Sequence, residues 1–131
     1  MTAASKVRDY MSSDLVTVSP EMDIHAAIKV LLAHQLSGVP VLDARGALVG
    51  ILSKKDCLKV AFSASYHQDW AGTVADCMNH PVDTVDEDAN IVEVAELFVK
   101  KPYHRYPVIR AGRLVGIVSR HDILRAIETL W

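Results

Sequence analysis

The chain states nearly the same sentence twice. VLDARGALVGILSKKDCL, beginning at Val41, is answered by VIRAGRLVGIVSRHDIL, beginning at Val108. A duplicated unit fixes the architecture before any single element is assigned, because each copy must fold alike and bury its apolar face against something. The match extends beyond that string: Val7 pairs with Val74, Met11 with Met78, Thr17 with Thr84, Ile24 with Ile91 and Pro40 with Pro107, all at an offset of 67. A one-residue deletion in a turn then shortens the offset to 66, joining Gly46 to Gly112, Gly50 to Gly116, Ser53 to Ser119 and Asp56 to Asp122. Two copies within 131 residues leave room for little else.

Each copy reads as a βαββα unit. A short helix (residues 6–11 and 73–78) leads to a brief strand, LVTV or VDTV. A helix follows, with Ile24, Ala27, Ile28, Leu31 and Leu32 at helical spacing and Ile91, Val94, Ala95, Phe98 and Val99 repeating the stripe; both stripes are expected to face the core. Pro20-Glu21 and Asp86 to Asp88 give these helices acidic, turn-like starts suited to a positive helix end. Two strands joined through Ala44-Arg45-Gly46 or Ala111-Gly112 form a hairpin, and a last helix begins at Ser53 or Ser119. Residues 60–72 extend the first copy's last helix and end in a loop.

One such unit is too one-sided to bury its own sheet. The expected fold is therefore α/β (α+β), two tandem βαββα repeats packed sheet to sheet about a pseudo-twofold axis. Residues 1–131 read as one module, with repeat one at about 7–59, an inter-repeat segment at 60–73 and repeat two at about 74–127.

With 50% hydrophobic residues the chain can build a substantial core. Its 14 Lys+Arg against 16 Asp+Glu argue against a dedicated nucleic-acid binder. No apolar run reaches signal-peptide or membrane-span length, so the chain reads as cytoplasmic, with no membrane partner. Cys57 and Cys77 occupy non-equivalent places in the two copies and form no shared metal or disulfide motif; Cys57, standing where the second copy has Ile123, reads as a buried apolar thiol.

The pattern GVPVLD-x4-LVGILS-x2-D, with its echo RYPVI-x4-LVGIVS-x2-D, resembles the cystathionine-β-synthase (CBS) domain pair, or Bateman module, over about residues 7–127. The resemblance implies a regulatory, non-enzymatic module that binds adenosyl compounds in an intersheet cleft and assembles in many cases as a disk-like dimer. It further implies a free-standing sensor acting on a separate effector protein.

Ser53-x-x-Asp56 and Ser119-x-x-Asp122 have capping-box spacing, which by itself is as well explained by helix capping as by ligand binding. Lys54, Lys55, Arg120 and His121, however, put cations in a first helical turn, where they oppose the helix dipole by about 0.3–1 kcal/mol each. That choice suits a docked anion. In the resembled family the Asp accepts from ribose hydroxyls and the Ser meets phosphate, so these roles are carried to Asp56, Ser53, Asp122 and Ser119. His104-Arg105 before Tyr106-Pro107 matches phosphate-contacting repeats of the AMP-activated protein kinase regulatory subunit, whereas the first copy has Ser37-Gly38 before Val39-Pro40.

Val16-Thr17 and Asp83-Thr84 fall where the family's backbone reads the adenine edge. Val39-Pro40 and Tyr106-Pro107 offer apolar walls for a purine. Gly50 and Gly116, inside strands, mark a close backbone approach between repeats, with ligand contact the second reading.

The resemblance implies two crosswise sites. One takes Val16, Thr17, Ser37, Gly38, Val39, Pro40, His104, Arg105, Ser119, Arg120, His121 and Asp122; the other takes Asp83, Thr84, Arg105, Tyr106, Pro107, Ser53, Lys54, Lys55 and Asp56. The Asp122 site should be the stronger, with Ser119 and His104 on phosphate and Arg105 able to serve either. The six histidines form no His-x3-His pair, and no P-loop or nucleophile elbow occurs, so no catalytic set, metal or catalytic cofactor is expected.

The leading function is an adenine-nucleotide sensor, AMP favoured with ADP or ATP close behind, acting as a homodimer. The alternatives are a ligand-free dimerisation or adaptor domain with Tyr66, Trp70 and Trp131 as anchors, an S-adenosylmethionine binder, or a nucleic-acid binder using Lys54, Lys55, Arg105 and Arg120.

Overall fold

In the computed structural model, residues 5–68 and 72–130 are described; Trp70 and Trp131, proposed as anchors, lie outside them. The fold is mixed α/β, with two sheets and five α-helices among the described residues. The chain divides into two compact units. One comprises Val16–Val82; the other joins the segment up to Leu15 to the chain from Asp83 onward. Structural units and sequence copies therefore differ at their edges, because each unit holds the lead-in segment of the other copy.

In the Val16–Val82 unit, helix α1 (Ile24–Ala33) precedes the antiparallel strands β1 (Gly38–Leu42) and β2 (Leu48–Ser53), then α2 (Lys54–His67) and the short α3 (Val74–Cys77). In the other unit a 3-10 turn (Val7–Asp9) stands where a short helix was expected. It is followed by β3 (Val85–Asp86), α4 (Ile91–Lys100), β4 (Arg105–Arg110), β5 (Arg113–Ser119) and α5 (Arg120–Leu130). Strand β3 is parallel to β4, which is antiparallel to β5.

The expected LVTV strand is reduced to a single bridge, Val18 to Val41. Its ladder stops at Pro20, which has no N–H to donate. The second copy has Glu87 there, whose N–H reaches the Ile109 carbonyl at 2.9 Å, so a two-residue strand survives. Asp23 and Asn90, rather than the acidic residues before them, are the N-caps of α1 and α4; their side chains accept from Ala26 N–H and Val92 N–H. The helical stripes also need trimming at one end. Ile24, Ala27 and Leu31, like Ile91, Val94 and Phe98, are buried, but Leu32 is 73% and Val99 86% exposed. At 3.6 residues per turn an i+8 position sits well round from the stripe's centre, beyond the edge that the unit covers.

Each unit has its own core. Val18, Ile24, Val39, Val41, Leu52, Cys57 and Val74 cluster in one, and Val7, Val85, Ile91, Val108, Val118 and Ile123 in the other. Gly50 and Gly116 serve the close approach expected of them. A Cβ on Gly50 would press on the Met78 side chain and reach 3.2 Å from Asn79 O, and one on Gly116 would meet Met11 and come within 2.9 Å of Ser12 O. The hairpin turns contain residues of positive φ: Gly46 in one, Ala111 and Gly112 in the other.

Candidate functional site

Both Ser-x-x-Asp sequences are formed capping boxes. At the start of α2, Ser53 N–H and Oγ–H donate to Asp56 Oδ2 at 3.1 and 2.6 Å, and Asp56 N–H donates to Ser53 Oγ at 3.1 Å. At the start of α5, Ser119 N–H donates to Asp122 Oδ2 at 2.9 Å and Asp122 N–H to Ser119 Oγ at 3.1 Å. Capping of this kind contributes about 1 kcal/mol per helix. It also fixes each carboxylate at a helix N-terminus, where the dipole favours negative charge.

The strand β1 or β4 begins beside its helix because the first amide of that helix is given to the loop before the strand. Lys54 N–H donates to Ser37 O at 2.8 Å, and Arg120 N–H to His104 O at 3.1 Å. His104, Ser119, Arg120 and Asp122 are thereby brought together within one unit, as Ser37, Ser53, Lys54 and Asp56 are within the other. Val16, Thr17, Gly38, Val39 and Pro40 belong to the Val16–Val82 unit. Asp83, Thr84, Arg105, Tyr106, Pro107 and His121 belong to the other. Val39 and Tyr106 are both buried in their cores, whereas Lys54, Lys55, His104, Arg105, Arg120 and His121 are exposed.

The two carboxylates are not equally occupied. Asp56 Oδ2 takes a third donor, Asn79 Nδ2, at 2.6 Å. Asp122 has Arg125 Nη2 3.7 Å from Oδ1, and its side chain is 21% exposed. Arg125 is itself held over the Tyr10 ring at 5.6 Å and donates to Tyr10 O at 3.5 Å. Asn79 and Arg125 escape a motif reading because neither lies in the repeated string. Asn79 is equivalent to Ser12, and Arg125 follows the Ser-x-x-Asp box by a turn of helix.

Arg120 is spoken for as well. Its Nε donates to Tyr103 O at 2.8 Å and its Nη2 to Lys101 O at 3.4 Å, so the side chain clasps the loop that carries His104. That bond explains how a cation is tolerated in the first turn of a helix: its charge is directed to carbonyls outside the helix. Cys57 is buried beside Asp56, and burial first, then the carboxylate, pushes its thiol pKa up; it is a packing group rather than a nucleophile. Among the described residues no cluster of three His, Cys, Asp or Glu could hold a metal ion, and no helix is long and apolar enough to cross a membrane.

Comparison with known proteins decides the family: the CBS domain matches residues 7–63 and again 74–129. The chain belongs to the CBS domain family, as a pair of CBS repeats. Among solved CBS pairs it is similar to CBSX2 of Arabidopsis thaliana, whose structure in complex with AMP is 28% identical, with a TM-score of 0.83 and coverage of 95% of this chain and 97% of that one. It is also similar to the CBS domain pair of protein MJ0100 in complex with 5-methylthioadenosine and S-adenosyl-L-methionine, at 30% identity, a TM-score of 0.77 and coverage of 97% and 98%. Among curated proteins, the inosine-5'-monophosphate dehydrogenase of Methanocaldococcus jannaschii is 32% identical over 124 residues, 94% of this chain but only 24% of that enzyme. The CBS domain-containing protein YhcV of Bacillus subtilis is 25% identical over 119 residues, 91% of this CBS pair and 83% of YhcV.

Proposed function

We propose that this CBS pair is a regulatory module that binds an adenosyl ligand, AMP in preference to ADP, ATP or S-adenosylmethionine, and that it passes the state of its ligand to a separate effector. The observation that carries the reading is the α5 N-terminus. There a box-held Asp122 keeps accessible carboxylate oxygen beside Ser119, and the His104 loop is tied to the same helix end at 3.1 Å. A carboxylate suits vicinal ribose hydroxyls, which it can accept as charge-assisted bonds, and a helix N-terminus flanked by cations suits a phosphate. The AMP complex of CBSX2 and the 5-methylthioadenosine and S-adenosyl-L-methionine complex of MJ0100 support the ligand class.

In this account Asp122 and Asp56 accept from ribose, Ser119, His104 and Ser53 serve phosphate, and Arg105 adds an anion contact suited to its planar fork. Binding regulates only if the ligand has unequal affinity for two conformations that an effector distinguishes. The protein works as a homodimer, with no catalytic cofactor. Thermal denaturation against AMP, ADP, ATP, adenosine, S-adenosylmethionine and a short RNA tests the proposal. A saturating ligand at 100 Kd stabilises by about 2.7 kcal/mol. An upward shift with AMP is expected. A flat response across the adenosyl compounds would return the chain to the ligand-free adaptor reading.

A further inference from the structure

Helix α2 carries apolar side chains on both of its sides. Cys57 and Ala64 are buried in the Val16–Val82 unit, yet Phe62 is 67% and Tyr66 74% exposed. Lys55, Lys59, Phe62 and Tyr66 stand at i, i+4, i+7 and i+11, which at 3.6 residues per turn confines them to a stripe about 60° wide, roughly opposite Cys57 and Ala64. The stripe therefore faces away from its own core. A surface helix ordinarily turns charged and polar residues outward. Here two exposed rings touch each other instead, with centroids 5.2 Å apart and planes at 62°.

The second copy builds the same stripe without these properties. Helix α5 has His121, Arg125 and Glu128 where α2 has Lys55, Lys59 and Phe62, and Arg125 lies 3.7 Å from Asp122 and over the Tyr10 ring. In α2 the acid one turn before Lys59 is Asp56, whose Oδ2 is taken by Ser53 and Asn79. Among the described residues neither Lys55 nor Lys59 lies in a salt bridge. Like charges at i,i+4 weaken a helix, and an outside acid would offset that cost. Leu58 borders the stripe, but it is matched by a similarly exposed Leu124 and does not distinguish the copies.

We propose that this outer stripe of α2 is a docking surface for an acidic amphipathic helix of a partner protein, whose apolar face covers Phe62 and Tyr66 while its carboxylates pair with Lys55 and Lys59. Aromatic anchors bordered by complementary charge are the features that dominate such contacts. Charge and shape disfavour the other occupants. A second copy docked by the same stripe would set Lys55 and Lys59 against their own equals. Nucleic acid is held by longer basic tracks and by rings presented flat to the bases, whereas this stripe has two lysines and an edge-to-face pair in a chain of net charge -2. An anionic membrane takes up the apolar face of a basic helix, and the core-facing side of α2 is already covered by its own unit. The proposal does not depend on the adenosyl reading, and its test needs no nucleotide.

Fluorescence anisotropy of a labelled peptide titrated with the full chain tests the surface. The peptide, about 18 residues long so that it is helical in water, has leucines along one face, glutamates flanking them and alanines behind; its control has lysine in place of each glutamate. The wild type should bind the glutamate peptide more tightly than the lysine peptide by about tenfold or more. Phe62→Glu, which installs the residue that the second copy has at Glu128, should weaken that binding about tenfold or more, and Lys55→Glu with Lys59→Glu should reverse the preference between the peptides. An acidic peptide left unbound, or bound equally by the wild type and Phe62→Glu, would overturn the surface. Binding of phosphatidylserine vesicles or single-stranded RNA in place of the peptide would overturn it too, assigning the stripe to lipid or nucleic acid. A Phe62→Glu change that splits a dimer in sedimentation while leaving the peptide bound would overturn it in favour of a second copy.

Discussion

At the scale of single residues, the same four-residue box has different partners in the two copies. Asp56 Oδ2 accepts from Ser53 and Asn79, and Asp122 Oδ2 accepts from Ser119, with Arg125 Nη2 3.7 Å from Oδ1. Asn79→Ala should therefore destabilise the Val16–Val82 unit by about 1 kcal/mol, with equilibrium urea denaturation as the check; a stabilised variant would show that the contact is strained. Arg105→Ala should bring AMP affinity down toward that of adenosine, because its proposed partner is the phosphate, and parallel titrations of the two ligands measure it. The thiols predict a pH dependence. Burial chiefly, then Asp56, raises the Cys57 pKa above its ordinary 9.0, and burial followed by Asp76 raises that of Cys77. A folded-state pKa raised above the unfolded value contributes stability that is complete below the unfolded pKa and is lost as pH rises through the folded one. Stability should thus fall as the pH climbs past 9, and a Cys57→Ala, Cys77→Ala variant should show a shallower alkaline decline in chemical denaturation.

At the scale of elements, the repeat made most of the fold legible. Hairpins, both major helices of each copy and both capping boxes lie where spacing puts them, because local patterning and turn chemistry suffice to specify them. The brief strand before α1 was not legible as a bridge, since its loss turns on Pro20 against Glu87, a difference in one N–H. The exposed ends of the stripes at Leu32 and Val99 were missed for another reason: periodicity reports a face but not how far its cover extends. Within the site, Asp56 and Asp122 stood out by spacing, while Asn79 did not, because it comes from a distant segment that the fold brings beside the box, and Arg125 did not, because it lies one helical turn past the repeated string. Glycine roles were readable. Gly116→Ala should cost about 1–3 kcal/mol through overpacking on Met11 and Ser12. A Met11→Ala background should recover part of that loss in a double-mutant cycle, and full additivity would place the strain elsewhere.

At the scale of the whole molecule, two repeats of one design carry unequal chemistry. Leu58 and Leu124 are equivalent and are 63% and 70% exposed, as Leu32 and Val99 are exposed in their units, so both copies leave the same apolar positions open. Static light scattering should accordingly report a homodimer at micromolar concentration, and a monomer with and without nucleotide would contradict it. The inequality of the repeats is central to the proposed function, in which Asp122, at the helix end that binds the His104 loop, is the carboxylate for the principal ligand. Loss of a charge-assisted partner worth about 1.5–3 kcal/mol lowers affinity roughly ten- to a hundredfold. The most direct measurement is calorimetric titration of AMP into the wild type, Asp122→Ala and Asp56→Ala. The account predicts that Asp122→Ala loses the tighter binding event and Asp56→Ala keeps it; unchanged affinity in Asp122→Ala, with the tighter event abolished in Asp56→Ala, would contradict it.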